Sequence, residues 1–195
     1  NNIEVVVGDL GDSNAVNSAM QGVESVLLVS PVAPDQVELQ GNLVRAASNQ
    51  EPKPYVVKIS GLMTSLDSYV DSGRWHAETE QKIKDTGLPY TFLRPLFFMQ
   101  NLQFLLRSAK IEGVIRSGVK DARIAMIDAE DIAAVAALLL IEKKPLMNQA
   151  VELTAINSVT YKEVAAVLSQ LLGREMRYEE QSLDQIREAL INAGQ

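Results

Sequence analysis

Short apolar runs alternate with helix-length amphipathic segments along the first half of the chain, and this alternation restricts the fold more than any other feature. Ile3–Val7 reads as an opening strand, and Asp12–Met20 as a short helix capped by Asp12 or Ser13. Val26-Leu-Leu-Val29 is uniformly apolar, the pattern of a strand covered on both faces. Asp35–Asn49 follows as a helix with Leu39, Leu43, Val44 and Ala47 on one stripe. Tyr55–Ser60 is the next strand, Gly61–Ser72 a loop, then comes a helix ending at Gly87, and Tyr90–Arg94 is a strand stopped by Pro95. Repeated β–α–β units with short connections predict an α/β fold with a parallel, doubly wound sheet.

Beyond Pro95 the pattern loosens. Phe97–Leu106 reads as an apolar helical segment and Arg123–Ile127 as a strand. Asp128–Glu142 is a helix capped by Asp128, with Ile132, Val135, Ala136 and Leu139 as its buried stripe. Val151–Thr154 is a returning strand. Thr160–Glu163 and Ser182–Gln185 are capping boxes that open the last two helices, the first of which ends at Gly173.

Composition narrows the chemistry. The chain has 195 residues with 47% hydrophobic content, enough to bury a core. A formal charge of −7 disfavours nucleic acid or an anionic membrane as a partner. The absence of cysteine excludes disulfides and thiolate catalysis, and is compatible with a cytoplasmic location. A single histidine excludes a multi-histidine zinc site, and no metal is expected. The longest apolar run, Ile132–Ile141, is ten residues, short of the ~18 that suggest a membrane span.

That histidine, His76, and the only tryptophan, Trp75, lie together on the helix before Gly87. His76 and Glu80 are four residues apart and share a helix face. Paired polar groups on a helix, followed by a strand whose carboxyl end opens at a proline, are how a doubly wound α/β protein builds a ligand crevice. No two of the 11 glycines stand at G-x-G spacing, so these residues encode no glycine-rich phosphate turn.

Several blocks, taken in order, resemble the NmrA-like branch of the atypical short-chain dehydrogenase/reductase superfamily. They are Val5-Val-Val-Gly-Asp-Leu10, Val26-Leu-Leu-Val-Ser-Pro31, Val57-Lys-Ile-Ser-Gly61, Trp75-His-Ala-Glu-Thr-Glu80, Gly87-Leu-Pro-Tyr-Thr-Phe-Leu-Arg-Pro95 with Phe97-Phe-Met-Gln-Asn101, and Ile127-Asp-Ala-Glu-Asp-Ile-Ala133. The resemblance implies NADP(H) or NAD(H) on a Rossmann-like domain over 1–155. A small C-terminal α/β substrate subdomain would comprise 156–195 and share 96–127. It implies either a reductase of quinones or azo compounds, or a silent redox sensor that binds a protein partner such as a transcription factor. Members of the family begin with a strand, a glycine-rich turn, a helix and a second strand before the Gly-Asp-Leu segment, and continue past the helix at 183–193. The chain therefore reads as a fragment with an incomplete sheet, in which Ile3–Val7 is expected either to lie apart from the other strands or to be separated from them by a gap where two strands belong.

The resemblance also assigns roles, each beside a plainer one. Asp9 accepts from the adenine amino group with Leu10 against the ring, or else the pair makes a strand-end turn. Val29, Ser30 and Pro31 run under the cofactor ribose and pyrophosphate, or form a stiffened loop. Ser60 takes the place of the substrate-binding serine of short-chain dehydrogenases, with Gly61 beside the substrate. In those enzymes a Tyr-x-x-x-Lys pair passes the proton, but here the spacing reads His76-x-x-x-Glu80. A carboxylate raises a neighbouring acid's pKa, so that relay is absent. Glu80 would instead accept from a ribose hydroxyl. His76 is a candidate proton donor, or a structural residue paired to Glu80 on the helix surface. Pro95 and Leu96 face the nicotinamide. Phe97 and Phe98 suit a flat small-molecule acceptor, or pack between the two domains.

Overall fold

The structure, a computed structural model, describes the backbone of residues 3–142 and 146–192, and their side chains apart from those of 104–108, 189, 190 and 192. In chain order the elements are α1 (Ser13–Ala19), β1 (Ser25–Leu28), α2 (Gln36–Ser48), β2 (Tyr55–Ile59), α3 (Asp71–Asp85), β3 (Tyr90–Pro95) and β4 (Phe97–Phe98). A 3-10 turn at Met99–Asn101 leads into α4 (Leu102–Glu112), β5 (Val114–Ser117), β6 (Met126–Ile127) and α5 (Ala129–Glu142). The chain closes with β7 (Gln149–Leu153), α6 (Tyr161–Leu172), β8 (Arg177–Glu180) and α7 (Leu183–Asn192). These divide into two compact units, Asn1–Leu96 with Glu130–Leu153, and Phe97–Ala129 with Thr154–Gln195.

In the first unit four parallel strands run in the order β1-β2-β3-β7. Alternate residues serve opposite faces, as the period of a strand requires. Val56 and Phe92 pack with Leu28, Val44, Ala47, Ile83 and Leu88, whereas Tyr55, Val57 and Leu93 pack with Ala136 and Leu139 of α5. The sheet is therefore wound on both faces, the Rossmann-like arrangement expected. Lys58 breaks the pattern: it sits in the middle of β2, registered between Leu28 and Phe92, and is fully buried.

Two strand expectations fail here for physical reasons. The uniformly apolar Val26–Val29 run is not covered on both faces, since Leu27 is 40% and Val29 56% exposed. Among the described strands β1 is at the edge, with β2 alone beside it, and an apolar run records missing polar groups rather than two covering layers. Ile3–Val7 lies outside the sheet, as expected, but is irregular and exposed and not a strand. A strand needs a neighbour for its backbone groups, and none among the described strands pairs with it.

The helices begin and end where local chemistry dictates. The Asp12 carboxylate accepts from the Asn14 and Ala15 N–H groups at 2.9 and 3.2 Å, capping α1. α3 carries Asp71 in its first turn and Lys82 and Lys84 in its last, matching the helix dipole, and Gly87 follows with φ of +67°.

The second unit holds two small parallel pairs, β4 with β6 and β5 with β8, around Ala109, Ile115, Met126, Tyr161, Ala165 and Met176. The expected helix from Phe97 to Leu106 starts only at Leu102, because Phe97 and Phe98 pair with Met126 and Ile127. The side chains of Phe104, Leu105 and Leu106 lie outside the described residues. Both capping boxes form. Thr160 Oγ1 accepts from the Glu163 N–H at 3.1 Å while the Glu163 carboxylate accepts from the Thr160 N–H at 2.7 Å, and Ser182 and Gln185 exchange the same pair of bonds. Asp128 Oδ1 accepts from Gln100 Nε2 at 2.7 Å, and the same Gln100 amide accepts from the Ala129 N–H that opens α5.

Candidate active site

The carboxyl ends of β1, β2 and β3 carry the polar groups of the first unit. Ser30 follows β1, Ser60 and Gly61 follow β2, and Arg94 and Pro95 close β3. The ends of β2 and β3 are tied together by Ser60 N–H to Leu93 O at 2.7 Å and Leu62 N–H to Pro95 O at 3.0 Å. Thr64 Oγ1 donates to Gly61 O at 2.6 Å and fixes the turn after Ser60. Gln36 and Gln40 of α2 and His76 and Glu80 of α3 project toward this edge.

At the centre is a contact the sequence reading missed. Lys58 Nζ lies 2.9 Å from His76 Nδ1, 3.2 Å from Ser60 Oγ and 3.3 Å from Ile59 O. Gln36 Nε2 reaches the same Nδ1 at 3.1 Å. His76 is 9% exposed, so it is not the helix-surface residue of the plainer reading, and its partner is not Glu80. Glu80 instead holds Arg94, with Arg94 Nε donating to Oε1 at 3.1 Å and Arg94 Nη2 to Oε2. A carboxylate pairs with a guanidinium in preference to an imidazole because the fork satisfies both its oxygens. The spacing of four placed His76 and Glu80 on one face, and each then found a stronger partner across the sheet.

Burial governs the charges. Desolvation lowers the Lys58 ammonium from 10.5 to about 7, with Glu80 opposing and Arg94 adding to the shift. Desolvation first and the Lys58 charge second lower His76 from 6.5 to about 4. At neutral pH the imidazole is therefore uncharged. Its opposite edge points at Gly61, where a Cβ would stand 3.6 Å from Cδ2 and 3.9 Å from Nε2.

The other predicted residues are scattered along the same edge. Ser30 Oγ accepts from Gln40 Nε2 at 2.7 Å and donates to Pro31 O at 3.1 Å, while Val29 and Pro31 are exposed. Asp9 is exposed and one carboxylate oxygen accepts from the Gly11 N–H at 2.7 Å, so the turn of the plainer reading is formed. Leu10 packs against the first unit's core, and with Asp9 it borders a cavity of about 180 Å³ lined also by Val6, Ala15 and Leu43. Pro95 is buried and Leu96 exposed. Phe97 and Phe98 are half-buried and belong to the second unit. Among the described residues no cluster of three His, Cys, Asp or Glu is placed to hold a metal ion, and no helix is long and apolar enough to cross a membrane.

Among the described residues two buried acceptors are left over: Gln36 Oε1 and Gln40 Oε1 have no hydrogen-bond partner there, beside His76 and Ser30 respectively. An orphaned buried carbonyl costs about 1–3 kcal/mol, and it fits a site that receives hydroxyl donors from a ligand such as a ribose.

A parallel sheet wound on both faces, with polar side chains gathered at its carboxyl edge, defines a Rossmann-like α/β protein. The chain belongs to the NmrA-like family, whose pattern matches residues 1–194. It is 35% identical over 192 residues to an NAD(P)H azoreductase of Xenophilus azovorans, covering 98% of this chain and 66% of that protein. It is 30% identical over 193 residues to quinone oxidoreductase 2 of Escherichia coli strain K12, again covering 98% and 66%. The solved structure of the Escherichia coli NADPH-dependent quinone oxidoreductase QOR2 complexed with NADPH superposes with a TM-score of 0.87 at 29% identity, over 99% of this chain and 68% of that one. The chain thus spans just under two thirds, 66%, of the length of these two relatives.

Proposed function

We propose that this chain is part of an NAD(P)H-dependent oxidoreductase that reduces a flat electrophilic acceptor such as a quinone or an azo compound. The observation that carries the reading is the buried Lys58–His76–Gln36 cluster at the carboxyl edge of the sheet. Three buried polar groups gather in the crevice of an α/β sheet, where such folds bind ligands. The azoreductase and quinone oxidoreductase relatives and the NADPH-bound structural neighbour support the same class of chemistry.

On this reading Asp9 and Leu10 meet the adenine, and Ser30, Gln36 and Gln40 meet ribose hydroxyls through the acceptors described above. Val29 and Pro31 flank the dinucleotide, and Pro95 and Leu96 the nicotinamide. When bound, the dihydronicotinamide supplies a hydride. The protein's part is to orient, to exclude water and to hold a proton at His76 Nε2, beside Gly61. Phe97 and Phe98 are assigned to the acceptor by the family resemblance. Glu80, held by Arg94, positions α3 rather than binding a ribose.

NADPH oxidation with a panel of quinones and azo dyes, for the whole protein that contains this chain and for its His76→Ala variant, tests the reading. Turnover that falls at least tenfold in His76→Ala supports it. Cofactor binding without turnover of any acceptor overturns it in favour of a redox sensor that acts on a protein partner.

A further inference from the structure

A lysine buried in the centre of a parallel strand is costly, and the chain places one where it touches the only histidine. An ammonium has donors and no acceptor. Its contact with His76 Nδ1 at 2.9 Å therefore makes Nδ1 the accepting nitrogen and leaves the ring proton on Nε2. Gln36 Nε2 lies 3.1 Å from the same nitrogen.

We propose that Lys58 is a positioning residue for His76: it fixes the neutral imidazole with its proton on Nε2, and resupplies Nδ1 when Nε2 gives that proton away. The resupply rests on the reductase reading, whereas the fixed tautomer does not. The acceptor becomes an anion on receiving a hydride, and the Nε2–H bond breaks as an O–H or N–H bond forms on that anion. A Lys58 Nζ–H bond breaks as an Nδ1–H bond forms, so the ring stays neutral and Lys58 is left as an amine. A proton taken up from solvent then binds Nε2, and the Nδ1 proton returns to Lys58, so that the cycle consumes one hydride and one solvent proton.

The surroundings suit both states of the lysine. Glu80 on α3 favours the ammonium, Arg94 on β3 favours the amine, and Ser60 just after β2 and Gln36 on α2 are neutral. With burial, these bring Lys58 to about 7, near the pH at which a proton can be both held and released. This arrangement stands in for the Tyr-x-x-x-Lys relay that the helix lacks: the lysine comes from the strand, and the proton passes through a ring that carries no charge.

The single histidine permits a direct test. Long-range 1H–15N correlation spectra of the 15N-labelled chain at pH 6 should show one set of imidazole signals, protonated at Nε2 and accepting at Nδ1. Lys58→Met should raise the ring's titration midpoint by about one pH unit, since a neighbouring positive charge is lost. Lys58→Arg keeps the cation and should keep the tautomer, yet lower kcat at least tenfold with little change in KM. Protonation at Nδ1 in the unmodified chain, or a midpoint unmoved in Lys58→Met, overturns the assignment. Wild-type kcat in Lys58→Arg overturns the resupply. If the methionine variant does not fold, the unmodified chain's spectrum decides the tautomer alone. If no acceptor is turned over by the whole protein that contains this chain, the reductase reading and the resupply fail together, and the spectrum still decides the tautomer.

Discussion

Lys58 Nζ and His76 Nδ1 stand 2.9 Å apart, one on a central strand and the other on the helix packed across it. Neither group gains charge stabilisation from the other, since the lysine's charge lowers the histidine's pKa. The pair is a liability to the fold, and the surrounding residues offset it through Glu80, Ser60 and Gln36.

This liability has a pH signature. Lys58 titrates near 7 in the folded chain and at 10.5 when unfolded. Between these values the unfolded chain binds more protons, so stability rises with pH, by up to about 1.4 kcal/mol per pH unit. The full penalty applies below pH 7 and vanishes above 10.5. His76 acts in the same direction between pH 4 and 6.5. Urea denaturation of the unmodified chain should show a rise above pH 7 that Lys58→Met lacks. Parallel curves for the two proteins would contradict the buried ammonium.

Glu80→Gln should destabilise the fold by about 2–3 kcal/mol, because it leaves the Arg94 guanidinium without its carboxylate and removes the one carboxylate acting on Lys58. Arg94 is partly exposed, which keeps the cost below that of a fully buried pair. In a double-mutant cycle with Arg94→Leu the two losses should be non-additive by at least about 1 kcal/mol. Additive losses would mean that the ion pair contributes nothing.

The sequence made the four-stranded sheet legible through β-branched runs separated by amphipathic helices, because both patterns are periodic and local. It made the caps at Asp12, Thr160 and Ser182 legible for the same reason. It hid β8, whose Arg177-Tyr-Glu-Glu180 carries charge on most positions and is held by pairing with β5. It also hid the centre of the site. His76 and Glu80 stood out by spacing along one helix, but their partners Lys58 and Arg94 come from other strands, and no local period reports a contact across a sheet. A charged residue at the middle of an otherwise apolar strand, Tyr55-Val-Val-Lys-Ile59, was the available signal, since burying a lysine there demands a partner.

Asp9→Ala should weaken dinucleotide binding about fivefold, the equivalent of roughly 1 kcal/mol for one modest hydrogen bond. Asp9 also anchors the turn through the Gly11 N–H, so the comparison needs Asp9→Asn, which keeps an acceptor for that bond. Calorimetry should find Asp9→Asn closer to the unmodified chain than Asp9→Ala. Unchanged affinity in both would remove Asp9 from the cofactor site and leave it the turn residue it already is.

Gly73→Ala separates helix propensity from packing. Gly73 lies in the first turn of α3, where alanine would ordinarily stabilise a helix by about 1 kcal/mol. Here an added Cβ would collide with the Ser68 hydroxyl and lie 2.8 Å from the Met63 carbonyl oxygen. The hydroxyl can rotate away, but the backbone oxygen cannot, since the Met63 segment belongs to the turn fixed by Thr64. The substitution should therefore destabilise by about 1–3 kcal/mol, and Ser68→Ala should relieve only part of that loss. Because α3 carries His76 one turn further on, the shift should also disturb the Lys58 contact and raise the His76 titration midpoint. A stabilised Gly73→Ala variant with an unchanged His76 titration would show that α3 is free to move away from the loop without consequence for the site.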